Sequence, residues 1–195
     1  SPGITPSRSM AATHNFFLEE FKLEPGDLIS YFATASDVRS LTTSDIYFLE
    51  IRPFGKQYSQ RQVSQGSEAD ASAADTVLSI RQKEILAATW RLIRDRKTFR
   101  EDEYQSNLKL VTAQQYKLQQ QTQTLSERIQ RRALTIRDKD IQKLSENLIK
   151  AIASMSPAGL FLSARKPAEA VTPEQGSLQY LLRAEAYYKQ VQVAY

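Results

Sequence analysis

The hydrophobic pattern of residues 104 to 136 is the clearest structural signal in the chain. No Gly or Pro interrupts this stretch, and Gln, Glu, Lys and Arg fill most positions outside one apolar stripe. Pattern and propensity therefore predict a single helix, roughly 50 Å long at about 1.5 Å per residue. Gln115 and Arg132 also lie on the stripe, where polar side chains weaken a helix pair but can fix its register. The apolar members of this heptad seam are Tyr104, Leu108, Val111, Leu118, Leu125, Ile129 and Ile136.

A second helix is predicted before this seam. Its apolar residues form a broad stripe, and Asp75 or Thr76 is placed to cap its start. Acidic residues 101 to 103 suit the first turn of the long helix, because negative charge there complements the helix dipole. We expect an antiparallel pair joined near residues 100 to 102, with one continuous rod as the alternative. The stripe of the earlier helix contains Leu78, Ile85, Leu92 and Phe99.

The heptad register breaks after residue 136, since the next apolar residue on the stripe, Ile141, follows five positions later. This step predicts either a turn capped by an Asp or a phase shift within one rod. Pro157 is expected to restart a short helical turn, and residues 165 to 171 are expected to form a loop. The sequence Thr-Pro-Glu-Gln at residues 172 to 175 has the form of a capping box and predicts the start of the last helix.

The N-terminal part has a strand-like period of two. Residues 14 to 23, 28 to 35 and 46 to 51 are predicted strands, and a polar loop is predicted at residues 36 to 43. Residues 24 to 27 carry Pro and Gly at the positions that a type II turn requires. Three strands alone bury one face poorly. Further elements must therefore cover the sheet: strands from upstream chain, strands from another subunit, or the helices of this chain.

These patterns predict an α+β fold that is mostly α. We divide the chain into a flexible leader at 1–13, a partial immunoglobulin-like antiparallel β module at 14–54, a linker at 55–75 and an antiparallel helical bundle or coiled coil at 76–195. The linker assignment rests on its Gln, Ser, Ala and Gly content. The chain starts at Ser1 rather than Met, and its last helix has no stop signal, so we expect a segment of a longer protein.

Charge is distributed unevenly along the sequence. Residues 1 to 70 contain six Lys or Arg against nine Asp or Glu, whereas residues 71 to 195 contain twenty against thirteen, within a net charge of +4. The densest basic cluster is a candidate contact for an anionic partner, although an ordinary solvated helix surface explains it more simply. Trp90 and Phe99 belong to the buried stripe, which argues against nucleic acid. The candidate basic face consists of Arg91, Arg94, Lys97 and Arg100.

The inventory of reactive side chains is small. The chain has no Cys, a single His at position 14 and six Gly, and it lacks phosphate-binding and nucleophile motifs. No apolar run reaches the length of a membrane span, and no signal peptide is recognisable. We therefore predict that the segment is not an enzyme and binds neither a metal nor a cofactor.

Several stretches resemble a family of large, uncharacterised, membrane-anchored bacterial envelope proteins, in which the closing strands of an immunoglobulin-like module precede a long helical region. The resemblance implies a location outside the cytoplasm, an anchor outside this segment and no catalytic residue. The loop at 36–43 departs from the family by being short and lacking Gly. The matching stretches are HNFFLEEFKLEPGD (14–27), LISYFATASD (28–37), SDIYFLEIRPF (44–54), QKEILAATW (82–90) and EQGSLQYLLRAE (174–185).

The predicted function is a non-catalytic structural or protein-interaction segment of a bacterial cell-envelope protein. Its partner would be another protein or another part of its own longer chain, met at the edge of the sheet or at the basic face rather than at the seam. The alternative is a cytosolic helical adaptor that binds an anionic partner, nucleic acid or anionic lipid, through the basic face.

Overall fold

Four long helices dominate the computed structural model, which describes residues 11–36, 40–51, 69–135 and 138–193. The helices are α1 (Ala69–Arg94), α2 (Glu101–Thr135), α3 (Lys139–Ser163) and α4 (Pro167–Val193). A short 3₁₀ helix at Leu18–Phe21 precedes four short strands, β1 (Leu28–Tyr31), β2 (Thr34–Ser36), β3 (Leu41–Thr43) and β4 (Tyr47–Glu50).

The helices form an up-down-up-down bundle, in which each packs on the next and α4 closes the ring against α1. Along the closing contact, Thr89 bonds to Glu174 and Ser79 bonds to Glu185, so residue numbers rise in one helix as they fall in the other. The predicted antiparallel helical bundle is thus confirmed. A coiled coil is not established by these contacts.

The predicted long helix is α2, and its buried side chains follow the heptad steps. Tyr104 and six later residues of the seam, some apolar and some polar, are buried. Leu125 is half-buried against the same core. Ile136 lies outside the described residues. Neighbouring helices fill the seam, and each buried Leu or Ile contributes roughly 1.5 to 3 kcal/mol. The buried seam residues are Tyr104, Leu108, Val111, Gln115, Leu118, Thr122 and Ile129.

Two helix boundaries answer questions that the sequence left open. The chain turns between α1 and α2, and it turns again before α3, so neither continuous rod exists. Asp138 caps α3, because its side chain accepts a hydrogen bond from the Asp140 backbone N–H at 2.8 Å. The start predicted for α1 is wrong: the helix begins at Ala69, ahead of Asp75 and Thr76. Residues 52 to 68 of the predicted linker lie outside the described residues.

The predicted end of α3 and start of α4 are also wrong. Helix α3 continues through Pro157, and a tight reversal replaces the predicted loop at 165–171. Arg165 adopts a positive φ of 61°, and the Lys166 N–H donates to the Phe161 carbonyl at 2.9 Å, as in a Schellman motif. Pro167 then occupies the first position of α4. The supposed capping box at 172–175 therefore lies inside the helix.

Residues 28 to 50, which we call the hairpin, run out along β1 and β2 and return along β3 and β4. The two antiparallel pairs are β1 with β4 and β2 with β3. The predicted strand at 28–35 is thus split, and the predicted loop at 36–43 contains β3, whose Leu-Thr-Thr sequence has high β propensity. Residues 14 to 23 form no strand; they hold the 3₁₀ helix, which ends at Lys22 with a positive φ of 47°.

A small antiparallel β part is confirmed, but an immunoglobulin-like sandwich is not. The helices, rather than further strands, cover the inner face of the hairpin. Leu28 and Phe48 pack against a cluster of leucines from α1 and α4. This is the third of the covers that the sequence left open. The cluster consists of Leu86, Leu178 and Leu182.

The predicted turn before β1 is confirmed and brings the chain against α4. The Asp27 N–H donates to the Glu24 carbonyl at 2.9 Å, and Gly26 has a φ of +92° at the third turn position. A Cβ on Gly26 would lie 3.0 Å from the Arg183 Cα. Glycine is therefore required here twice, for its backbone angle and for the close approach of the turn to the helix.

Candidate interaction surface on the hairpin

One end of the hairpin is fastened to α4 through Asp27. The Arg183 guanidinium donates to Asp27 Oδ1 from Nε at 2.9 Å and from Nη2 at 2.6 Å, and Gln179 adds a bond at 3.3 Å. The Glu24 N–H donates to Oδ2 at 2.9 Å. Burial alone would raise the pKa of Asp27, but these donors together hold that pKa below 3.8. The carboxylate is thus charged and fully engaged.

The other end is fastened to α1. The indole Nε1 of Trp90 donates to the Ser44 carbonyl at 3.0 Å, and the ring of Phe32 lies 4.5 Å from that of Trp90, measured between centroids. Arg94 bonds to both Asp45 on the hairpin and its neighbour Asp95. Midway, Gln175 of α4 donates to the Ser30 hydroxyl at 2.7 Å. The hairpin is thus held at both ends and in the middle.

The outer face of the hairpin is aromatic. Side chains alternate between the two faces of a strand, and Leu28 and Phe48 face the bundle. Tyr31 and Tyr47, which pair across β1 and β4, therefore face away from it. Their rings stack with centroids 5.6 Å apart, and Tyr47 is 51% exposed. The outer face of the hairpin therefore presents two stacked rings to solvent.

The preceding segment extends this surface. The ring of Phe16 lies 5.3 Å from Tyr31, and the ring of His14 lies 4.8 Å from Phe16, between centroids. We call His14, Phe16, Tyr31 and Tyr47 the aromatic row. Phe17, next to the row in sequence, is 62% exposed. The only histidine of the chain is thus one ring of an exposed aromatic surface.

The N-terminal region that contains the aromatic row is acidic. The described residues from 11 to 51 include six Asp or Glu and a single Lys or Arg, Lys22. Asp27 and Asp45 point to the bundle and are paired with arginines there. Glu19, Glu20 and Glu24 are exposed. The surface therefore combines exposed rings with negative charge.

An open cleft of about 620 Å³ separates the far end of the hairpin from α1. Phe32, Leu41, Trp90 and Ile93 form its apolar walls, and Thr42, Thr43 and Arg94 supply polar groups. Leu41 and Phe32 are both exposed. The cleft adds a second apolar surface on the hairpin, at the opposite end from Asp27.

The predicted basic face lies at the corner between α1 and α2, and much of its charge is neutralised there. Hydrogen bonds to Asp95, followed by those to Asp45, raise the pKa of Arg94 above its usual value. The Nε of Arg100 lies 3.4 Å from a carboxylate oxygen of Asp102. Arg91 and Lys97 are exposed at the same corner. Binding of an anionic partner by these four residues stays a prediction.

Two buried glutamates on α4 were missed by the sequence reading. Glu174 is fully buried and accepts from the Thr89 hydroxyl at 2.8 Å, while its Oε2 has no hydrogen-bond partner among the described residues. Burial raises the pKa of Glu174 to about 8 and that of Glu185 to about 7. The misassigned capping box concealed Glu174, and Glu185 lies three turns further along the same face. Near neutral pH Glu174 is therefore mostly protonated, and Glu185 is close to its midpoint of ionisation.

Within the described parts of the chain, no cluster of three or more His, Asp or Glu side chains is arranged to hold a metal ion. None of the helices in those parts has both the length and the hydrophobicity that crossing a membrane requires. Comparisons with protein-family models, with curated proteins and with solved structures find no match to this chain.

Proposed function

We propose that this chain is a non-catalytic protein-interaction segment of a bacterial cell-envelope protein. In this proposal the helical bundle is a rigid support, and the hairpin presents the aromatic row to a partner. The observation that carries it is the contrast between the two faces of the hairpin: the inner face is bonded to α1 and α4, while the outer face exposes Tyr31 and Tyr47.

Exposed, contiguous rings favour binding for two physical reasons. Tyrosine contributes a large apolar area and a polar hydroxyl at a small cost in side-chain entropy, and it is enriched in protein interfaces. A surface already fixed in place also loses less conformational entropy when a partner binds. The bonds of Asp27 to Arg183 and of Trp90 to Ser44 supply that fixation.

The envelope location rests on the family resemblance of residues 14–54, 82–90 and 174–185. Under the proposal, the longer protein is anchored in the membrane by segments outside this sequence, and this segment lies on the periplasmic side. The partner is then another envelope protein or another part of the same longer chain.

A photo-crosslinking amino acid placed at position 47 tests the proposal in cells that encode the protein. When this amino acid replaces Tyr47, we expect a discrete crosslinked adduct in the envelope fraction. The control places the same group at Lys150, which is exposed on α3. Adducts of equal yield from both positions, or none from position 47, would refute an interaction through the hairpin.

A further inference from the structure

We infer that the aromatic row binds a basic segment of a partner protein, in which Lys or Arg alternates with apolar residues. This inference rests on the proposed function and specifies the chemistry of its partner. Apolar side chains of the segment would cover the rings of Tyr31 and Tyr47. Its cations would meet the acidic residues beside the row.

Charge complementarity selects a basic partner. Asp27 and Asp45 have arginine partners within the chain, at Arg183 and Arg94. Glu19, Glu20 and Glu24 are also exposed in this region. Lys22 is the single Lys or Arg among the described residues from 11 to 51. Within this region the exposed carboxylates thus outnumber the cations, which favours the approach of a positively charged partner.

The acidic residues lie where they would border the row. Glu19 and Glu20 belong to the 3₁₀ helix that directly follows Phe16 and Phe17. Phe16 itself contacts Tyr31 on the hairpin. One end of the row therefore carries two exposed carboxylates within a few residues of an exposed ring, which is the arrangement that an alternating basic and apolar segment complements.

The rings themselves favour cations. A positive group over an aromatic face is attracted by the ring quadrupole, and the chain uses this contact internally. The Arg96 guanidinium lies 4.0 Å from the centroid of Tyr104, and Lys143 Nζ lies 5.1 Å from that of Tyr187. The exposed rings of the row offer the same contact to a partner.

The same charges disfavour nucleic acid and anionic lipid at this surface. Both present phosphate groups, which the carboxylates of Glu19 and Glu20 repel. A neutral lipid surface lacks that repulsion, and a second copy of this chain has basic helices. Both of these occupants are therefore included as outcomes of the experiment.

The test measures binding of fluorescently labelled peptides to the full chain by anisotropy. The main probe is a peptide of alternating Lys and Val; the matched probes alternate Glu with Val and Lys with Ser. We expect the Lys–Val peptide to bind, with an affinity that falls as salt rises. The Glu–Val peptide should not bind, and the Lys–Ser peptide should bind about tenfold more weakly because it cannot cover the rings.

Two variants divide the surface into its charges and its rings. Glu19→Lys with Glu20→Lys reverses exposed charges, and Tyr31→Ser with Tyr47→Ser removes the rings. Each should weaken the Lys–Val peptide by about tenfold or more. Circular dichroism and amide hydrogen exchange verify that each variant keeps the hairpin in place. The matched control, Glu127→Lys with Glu146→Lys, makes the same charge change on α2 and α3 and should leave binding unchanged.

Several results would overturn the inference. They are unchanged peptide binding in the Glu19 and Glu20 variant, equal binding of the Glu–Val peptide, and binding of phosphatidylcholine vesicles through the tyrosines in place of the peptide. Self-association in sedimentation that the tyrosine variant abolishes would assign the surface to a second copy. Absence of peptide binding together with adducts at position 47 would refute the basic partner and leave the proposed function intact; absence of both would refute both.

Discussion

Two helix contacts in the bundle bury polar side chains, and they differ in how those side chains are hydrogen-bonded. Between α1 and α2, the fully buried amides of Gln82 and Gln115 bond to each other in both directions, at 3.1 and 3.2 Å. Between α1 and α4, Glu174 and Glu185 each have one carboxyl oxygen without a hydrogen-bond partner among the described residues. An amide pair supplies a donor for each acceptor, whereas a carboxylate supplies acceptors alone.

The difference makes one side of the bundle sensitive to pH. The amide pair does not titrate, so its contribution to the α1–α2 contact does not change with pH. The α1–α4 contact stays free of buried negative charge only while its glutamates are protonated. Because the hairpin also packs on α1 and α4, loss of that contact would affect the interaction surface as well.

The largest predicted effect is therefore a pH dependence caused by Glu174. Its pKa is about 8 in the folded chain and near 4.5 when unfolded, so the unfolded chain binds fewer protons between these values. Its contribution to stability is fully present below pH 4.5 and is lost as pH rises to 8, by on the order of 5 kcal/mol. Urea unfolding of Glu174→Gln should lack this loss. A loss of equal size in that variant would contradict the assignment; Glu146→Gln is the exposed control.

Glu185 should produce a similar loss over a narrower pH range. Its pKa is raised to about 7, chiefly by burial, while a bond from Ser79 and the charge of Lys189 oppose the rise. The stability that depends on its proton is present below pH 4.5 and is lost by pH 7, by on the order of 3 kcal/mol. Glu185→Gln should roughly halve the slope between pH 4.5 and 7, where both glutamates contribute, and should keep the slope between 7 and 8 that comes from Glu174. A variant that instead flattens the upper part would show that the two assignments are exchanged.

The amide pair should respond to mutation without responding to pH. Gln115→Leu leaves the buried amide of Gln82 without its partner and should lower the free energy of unfolding by about 2 to 3 kcal/mol. The double variant with Gln82→Leu should recover most of that loss, because two apolar side chains replace the pair. Urea unfolding measures both, and Gln120→Leu on the exposed face is the control. A double variant that is less stable than Gln115→Leu alone would mean that the two amides stabilise the fold by more than satisfying each other's hydrogen bonds.

Asp27 tests a carboxylate that does have a charged partner. Asp27→Asn weakens the bonds from Arg183 and should destabilise attachment of the hairpin by about 2 kcal/mol. Since the pKa of Asp27 is lowered, its stabilisation is present above pH 3.8 and is lost as pH falls through the folded value. Relative to the unmodified chain, Asp27→Asn should speed amide hydrogen exchange in β1 and β4 more than in α3. The control is Glu169→Gln, whose carboxylate pairs with Lys166 at the surface; an equal effect there would contradict a special role for Asp27.

Local patterns predicted the bundle well. The heptad seam of α2 is a property of neighbouring residues, and burial follows it from Tyr104 to Ile129. Gln115 was recognisable as a polar seam residue. Its partner was not, because the reading of α1 considered apolar positions, although Gln82 and Thr89 continue the spacing of Leu78, Ile85 and Leu92 and are equally buried.

Start signals for α4 were ambiguous because two prolines meet the same rule. Pro167 and Pro173 each suit the first turn of a helix, and what decides between them is the positive φ of Arg165. Glycine usually marks that conformation, so an arginine there gives no signal in the sequence. The aromatic row was equally hidden, since strand alternation does not reveal which face of an isolated hairpin a distant helix will cover.

The bond between Asp27 and Arg183 joins residues 156 positions apart. During synthesis at about 5 to 20 residues per second, roughly 8 to 30 seconds pass between the appearance of the two partners. Throughout that interval the inner face of the hairpin lacks the part of its cover that α4 supplies, Leu178 and Leu182. A newly synthesised chain is thus most prone to aggregation before α4 emerges, and a chaperone that shields residues 28 to 50 would be needed early rather than late.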